Sequence, residues 1–351
     1  MVESSLSYPL SVGRQGVPQG SLLGPLCFLI FYNDFPVTRE VGESVLYADD
    51  DTDNVSSECP TNLQHMIQME ADLSVAWVND NRLVCSGSKT KLLVVGTREL
   101  RRSKLESIEL KLSVNVAGHT VEESTSEKLL GILINNTLTW ADHLHGDERH
   151  KGLLSKLSQR AGIIRRLSRF MPSERLKVIS NGIFFSLLNY GLPVFGSISG
   201  LLMYVEGQDR FQAMSKYDSR QVQIIMNVVL RAITNLPAET PVQYLLQQSG
   251  FLSFHQMCAH STLKMTHKII FNKQPEILYS ILEEHQPKKN RPRRQNDVQT
   301  KFRLSVAREG YISQAAKLFH SLPEEIQSIS SPSLFKKETR RWVERNIAIY
   351  M

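Results

Sequence analysis

Residues 44–54 read Ser-Val-Leu-Tyr-Ala-Asp-Asp-Asp-Thr-Asp-Asn. A short apolar run, Ser44 to Ala48, passes directly into Asp49, Asp50 and Asp51, with Asp53 close behind. Apolar strand formers followed by a cluster of turn residues indicate a hairpin, and here its tip carries carboxylates. Adjacent like charges repel unless a cation sits between them. Phosphoryl transfer through two Mg²⁺ ions roughly 3.5 to 4 Å apart requires such a cluster, one ion activating the attacking oxygen and the other the leaving phosphate. An isolated Asp-Asp pair reads as a solvated turn. The balance changes because a Gly-Val-Pro-Gln-Gly loop, residues 16–20, leads into a helix N-terminus just upstream, where free N–H groups can approach phosphate or sugar.

Upstream of the hairpin, Ser21 is an expected N-cap for the apolar segment LLGPLCFLIFY, and Pro25 is tolerated near the helix start. Asn33, Asp34 and Pro36 close that helix, with Asp34 a helix-end residue. Downstream, Leu63, Met66, Ile67, Leu73, Ala76 and Trp77 recur at helical spacing between Thr61 and Asn79. Leu92 to Val95 reads as a buried strand. From Ile108 to Val116 every second residue is apolar, the period of a half-buried strand, with a turn at Ala117-Gly118-His119-Thr120. A further strand is expected over Leu129 to Asn135, among several antiparallel strands. Beyond Trp140 the period becomes helical: Leu153, Leu157, Ala161, Ile164 and Leu167 mark one face, and helix is expected on to Leu282. Residues 286–295 (QPKKNRPRRQ) read as a linker before a last helix near Phe335 to Ile347. The fold class expected is α+β, a strand-bearing first half followed by an all-helical second half.

The chain has 351 residues and is 41% hydrophobic, which excludes a disordered chain or a mini-protein. Cys27, Cys59, Cys85 and Cys258 lie far apart, which argues against a disulfide framework or zinc module and for a reducing compartment. The first thirty residues lack a secretory pattern, so an intracellular location, nucleus or cytoplasm, is expected. Val178 to Val205 is uncharged, but its asparagines, glycines and proline indicate a buried helix and turn rather than a membrane span. Residues 1–150 hold 12 Lys and Arg against 21 Asp and Glu, a balance of −9; residues 151–351 hold 29 against 14, a balance of +15. A broad contact with a polyanion is therefore expected only in the second half.

GVPQGSLLGPLCFLIFYNDFP (16–36) followed by LYADDDT (46–52) resembles the loop-and-helix motif and the Tyr-Ala-Asp-Asp hairpin of reverse transcriptases, specifically those of non-LTR retrotransposons of the jockey and CR1 type. WVNDNRLVCSGSKTKLLVVGT (77–97) is similar to that family's Trp helix and Lys-Thr strand, and EKLLGILINNTLTWADHL (127–144) to its Leu-Gly-Ile primer-grip region. Residues 158–196 look like its thumb, and FHSLPEEIQSISSPSLFKKE (319–338) is similar to the C-terminal tail of these elements. The resemblance implies an incomplete polymerase palm over residues 1–145, a helical thumb and connection over 146–285, and a basic linker with a helical tail over 286–351. It also implies RNA-directed DNA polymerase activity with Mg²⁺, an RNA template, a DNA primer and deoxynucleotides. No membrane partner is implied, and the oligomeric state is left open.

Residue by residue, the resemblance makes Asp49 and Asp50 metal ligands, Asp49 ahead of its neighbour because adjacent strand residues point opposite ways. It places Tyr47 beside the primer end, Gln19 on the incoming nucleotide, and Gly16 and Gly20 where the backbone comes close. Gly131 falls in the primer grip. Lys89 is implied near the leaving pyrophosphate, with Lys91 its competitor; an exposed strand-end charge is the plain alternative for each. The family's first catalytic aspartate lies upstream of the Gly-rich loop, and nothing in Met1 to Leu10 replaces it. The expectation is an N-terminally truncated enzyme, impaired alone. The alternative is a non-catalytic, polymerase-derived module that binds nucleic acid. Lys156, Arg160, Arg165, Arg166 and Arg169 are expected to share one helix and contact nucleic-acid backbone, or else form a solvated face. Lys288, Lys289, Arg291, Arg293 and Arg294 read as a solvated linker ahead of a nucleic-acid or nuclear-import patch. His143, His145 and His150 lack the partners and spacing of a zinc site.

Overall fold

A computed structural model describes residues 20–96, 101–103, 105, 111–196, 214–284 and 311–347. It divides into two compact units, Met1–Thr125 and Ser126–Met351.

In the first unit, α1 (Gly24–Phe31) starts later than the apolar run suggests. The Ser21 hydroxyl accepts the Gly24 N–H at 2.9 Å, so it satisfies one of the free donors of that first turn. Strands β1 (Glu43–Tyr47) and β2 (Asp50–Asn54) form the expected antiparallel hairpin, joined by Ala48 and Asp49. The long helix α2 (Pro60–Asp80) buries Trp77 and Val78 against Phe35, with Tyr32 edge-on to the indole.

The remaining strands of this unit depart from an all-antiparallel reading. Strand β3 (Leu92–Leu93) pairs in parallel with β5 (His119–Ser124), and β4 (Ser113–Val116) pairs antiparallel with β5. Leu112, Val114 and Val116 are buried while Asn115 is exposed, as the period of two predicts; Ile108 and Leu110 lie outside the described residues. The turn is shorter than expected, Ala117-Gly118 alone, both left-handed at φ 49° and 81°. Strand β4 is a sheet edge, and α2 covers it by an unusual route. Gln64 and Gln68, one turn apart, each offer a side-chain amide as a strand would: Ser113 N–H donates to Gln64 Oε1 at 3.0 Å and Asn115 N–H to Gln68 Oε1 at 2.9 Å, while their Nε2 groups donate to the carbonyls of the same two residues.

The second unit begins with another hairpin, β6 (Ser126–Leu129) and β7 (Ile132–Asn135). The sequence reading of one strand over 129–135 is corrected here, because Leu130 and Gly131 are both left-handed (φ 46° and 89°) and reverse the chain inside a continuous apolar run. Helices follow: α3 (Ala141–His145), α4 (Leu153–Leu167), and α5 (Ser173–Ser180), which continues through a π turn (Asn181–Phe185) into α6 (Ser186–Asn189). Then come α7 (Leu192–Phe195), α8 (Lys216–Thr234), α9 (Val242–Ser249), α10 (Phe254–Asn272) and α11 (Glu276–Glu284). The last three are α12 (Tyr311–His320), α13 (Glu324–Gln327) and α14 (Pro332–Asn346).

Every residue of the expected α4 stripe except Leu167 is fully buried, among Phe184, Leu188, Leu192, Phe195, Val222, Met226, Leu230 and Phe254. Helix α10 begins with a capping box in which Ser253 and Gln256 exchange hydrogen bonds, and it carries the second core, Leu263 with Phe319, Phe335 and Val343. The uncharged run from Val178 is cut at Tyr190-Gly191, the glycine at φ 68°. Among the described residues no helix is long and apolar enough to cross a membrane. The linker at 286–295 lies outside the described residues.

Candidate functional site

The β1–β2 hairpin sorts its carboxylates by register. Tyr47 pairs with Asp50, Leu46 with Asp51, and Ser44 with Asp53. Directly opposed residues share a face of the ribbon, so Tyr47 and Asp50 lie together on the outer face, where both are exposed. Asp49 occupies the second loop position and is exposed as well. Ala48 precedes it at φ 56°, a left-handed conformation that a non-glycine residue adopts at some cost.

The inner face is a separate system. Leu46 packs toward Phe35 and Trp77. Asp51 accepts the Ser44 hydroxyl at 2.5 Å, and burial pushes its carboxyl above the usual range, with that hydrogen bond and Arg39 pulling the other way. Asp53 accepts from Arg39 at 3.0 Å and from Ser74 at 3.2 Å. Asp51 and Asp53 therefore belong to the hairpin's support rather than to its tip.

That support has an anchor that reading for chemistry missed. Glu70, 1% exposed, receives the backbone N–H groups of Glu40, Val41 and Gly42 on one oxygen at 3.1, 2.7 and 2.8 Å. Its other oxygen is 3.5 Å from the Arg39 guanidinium, which lies 4.4 Å from the Phe35 ring centroid. Arg39 also donates to Ser74 Oγ at 2.5 Å. The buried pair fixes the segment that enters β1. A signal for it existed, since Glu70 stands three residues after Ile67 and seven before Trp77, inside the apolar stripe of α2.

Of the other expected site residues, Gln19 and Gly16 lie outside the described residues. Gly20 is in a turn at φ 82°, with open space where a Cβ would stand. Lys89 and Lys91 are both exposed; Lys89 sits in a turn closed by its N–H to Ser86 O at 3.0 Å, just before β3. Gly131 sits in the β6–β7 turn, where a Cβ would stand 3.2 Å from Tyr190, whose hydroxyl donates to Leu130 O at 2.5 Å.

The five cations expected on one helix are distributed differently. Arg169 falls beyond the end of α4, in the turn after Leu167. At about 100° per residue, Arg165 lies roughly 180° around the helix from Lys156, so the group flanks the buried stripe on both sides. The Arg160 guanidinium donates to Ile183 O, an internal tie. Arg165, Arg166 and Arg169 are exposed, and the first two also complement the carbonyl end of α4.

The histidines each have an identified neighbour. His145 Nε2 is 2.7 Å from Asp218, His150 Nδ1 is 3.0 Å from Asp147, and His143 Nδ1 accepts the Leu133 N–H at 3.3 Å. A two-Mg²⁺ centre needs hard oxygen ligands, and Asp49 and Asp50 supply the right atoms. Among the described residues no group of three His, Cys, Asp or Glu side chains is placed to hold a metal ion. The two tip carboxylates are thus an insufficient set by themselves.

No protein-family model matches the chain, and no solved structure matches it. It is 27% identical over 243 residues to the probable RNA-directed DNA polymerase from transposon BS of Drosophila melanogaster, a stretch that covers 67% of this chain and 24% of that protein. The chain thus spans about a quarter of the length of the curated relative it matches. That similarity makes this chain a distant relative of a transposon RNA-directed DNA polymerase.

Proposed function

We propose that the chain is a polymerase-derived portion of a transposon reverse transcriptase of the non-LTR type, which handles an RNA template and a DNA primer inside the cell. The observation that carries this reading is the similarity to the transposon polymerase over two-thirds of the chain. The hairpin supports it, because it is the hairpin that the resemblance names, with Tyr47 and Asp50 opposed on the exposed face and Asp49 at the loop.

Asp49 and Asp50 are the residues that would contribute to an Mg²⁺ centre. Two adjacent carboxylates on one turn hold a hard cation weakly and leave its geometry free. The described residues bring no third ligand to them. The chain by itself is therefore proposed to bind nucleic acid and to extend a primer poorly or not at all. The exposed Arg165, Arg166 and Arg169 provide phosphate contact, which positions a duplex without reading its sequence.

Primer extension tests the catalytic half of the reading. The intact chain, given a primed RNA template, Mg²⁺ and deoxynucleotides, is expected to leave the primer unextended. Extension comparable to that of a full-length reverse transcriptase, and abolished by Asp49→Ala, would mean that the chain is a complete catalyst.

A further inference from the structure

We propose that the cleft between the β6–β7 turn, α3 and the start of α4 is a binding site for a phosphate group, with the His143 imidazole as a neutral hydrogen-bond donor at its wall. The cleft is a cavity of about 180 Å³. Gly131, His143 and Lys156 line it, with Lys128, Arg149 and Lys151.

His143 fixes the polarity of the wall. Its Nδ1 accepts the Leu133 N–H, so the ring hydrogen resides on Nε2. That Nε2 is buried and has no hydrogen-bond partner. Burial first, and the neighbouring Lys156 second, hold the imidazole down to about 4, so at neutral pH the ring is uncharged and this N–H is a permanent donor.

The cations around it fall into two groups. Arg149 is engaged by Glu127 at 3.1 Å and lies 3.9 Å from Asp147. Asp147 is itself held by Ser126 Oγ at 2.7 Å and by the N–H groups of Arg149 and His150 at 2.9 and 2.6 Å. Burial opposes ionisation of Asp147, yet these bonds keep its carboxyl down at about 2, so its charge is committed to the 147–151 loop. Lys128, Lys151 and Lys156 form no ion pair among the described residues. Lys156 is pushed below the usual lysine range by burial and by the positive charge of Lys128 and Arg160.

Three lysines with no ion-pair partner among the described residues, and His143 with its buried, unpartnered Nε2–H, therefore line one small space. A phosphate suits them better than a carboxylate, because its oxygens accept from several directions at once and it carries more charge. The phosphate could belong to a nucleic-acid backbone or be free in solution. The site is built from residues 126–156 alone and requires no polymerase activity.

The test uses the full chain and inorganic phosphate as the probe, followed through the His143 ring resonances by NMR. Saturating phosphate is expected to shift those resonances and to raise the His143 titration midpoint above its starting value, because an anion against Nε2–H favours the charged ring. Lys156→Met, and separately His143→Phe, which keeps an aromatic ring beside Phe195, should each weaken phosphate binding about tenfold. Lys337→Met, on the exposed side of α14, should leave it unchanged. Displacement of phosphate by an RNA–DNA duplex would assign the site to a backbone phosphate; phosphate binding that the duplex does not disturb would assign it to a free phosphate. Absence of any His143 shift in excess phosphate, or equal affinity in folded Lys156→Met, overturns the proposal.

Discussion

Replacing Glu70 by alanine removes the anchor beneath the β1–β2 hairpin, and the structure sets the size of the effect. Three backbone donors lose their acceptor, and Arg39, whose side chain is 3% exposed, loses one of its two carboxylates. Breaking a buried ion pair from one side typically costs about 3–5 kcal/mol. Asp53 still pairs with Arg39 at 3.0 Å, and Glu40 and Val41 lie near solvent, so the lower end applies. A loss of about 3 kcal/mol corresponds to roughly a hundredfold faster exchange of amides that open locally. Hydrogen-exchange mass spectrometry reads this directly: peptides spanning residues 39–47 should lose protection in Glu70→Ala, while those from α8 and α10 should not. Glu70→Gln should lie between, since its carbonyl can still accept but its NH₂ faces the guanidinium. Adding Arg39→Met to Glu70→Ala should recover part of the loss, because the guanidinium is then no longer buried with a single carboxylate, while Asp53, 23% exposed, keeps its hydrogen bond from Ser74. Unchanged protection at residues 40–42 in Glu70→Ala would refute the anchor.

Two further perturbations follow from the second unit. Gly131→Ala should destabilise it by about 1–2 kcal/mol in thermal unfolding, because the position is left-handed at φ 89° and the new methyl meets Tyr190; a neutral effect would mean the turn relaxes freely. Stability should also fall on acidification. Burial holds His143 and His260 at about 4, and lowers His255 and His267 as well. The unfolded chain takes up these protons first, near its ordinary value of about 6.5, so stability is complete above that pH and declines as pH falls toward 4. Melting temperatures at pH 7 and pH 5 check this, and equal values would contradict it.

The sequence made some of this legible and hid the rest for physical reasons. The β1–β2 hairpin is readable because its strand formers stop abruptly at carboxylates, and α4 because its apolar residues repeat at 3.6. The β6–β7 turn is hidden because Leu129-Leu130-Gly131-Ile132-Leu133 is apolar throughout, so neither period nor polarity marks the reversal. Parallel pairing of β3 with β5 joins Leu92 to Glu123, a contact no local pattern encodes. Gln64 and Gln68 look like exposed helix residues until β4 is laid beside them. Arg160 reads as one more phosphate contact, and only the packing of the π turn presents it with the Ile183 carbonyl. The tip carboxylates were found by motif, whereas their buried support, Glu70 and Arg39, requires the tertiary contact between α2 and the segment before β1.

The claim that this chain engages nucleic acid through its basic half is tested most directly by filter binding of the intact chain to an RNA–DNA duplex across a series of salt concentrations. With Arg160 tied internally and Lys156 half-buried, Arg165, Arg166 and Arg169 remain as exposed contacts. Three released counterions give a slope of log K against log salt of about −2 to −3, little changed between duplex sequences, and Arg165→Ala with Arg166→Ala flattens it by roughly one to two units. A slope near zero, or a double variant that binds as the parent does at every salt concentration, contradicts the account.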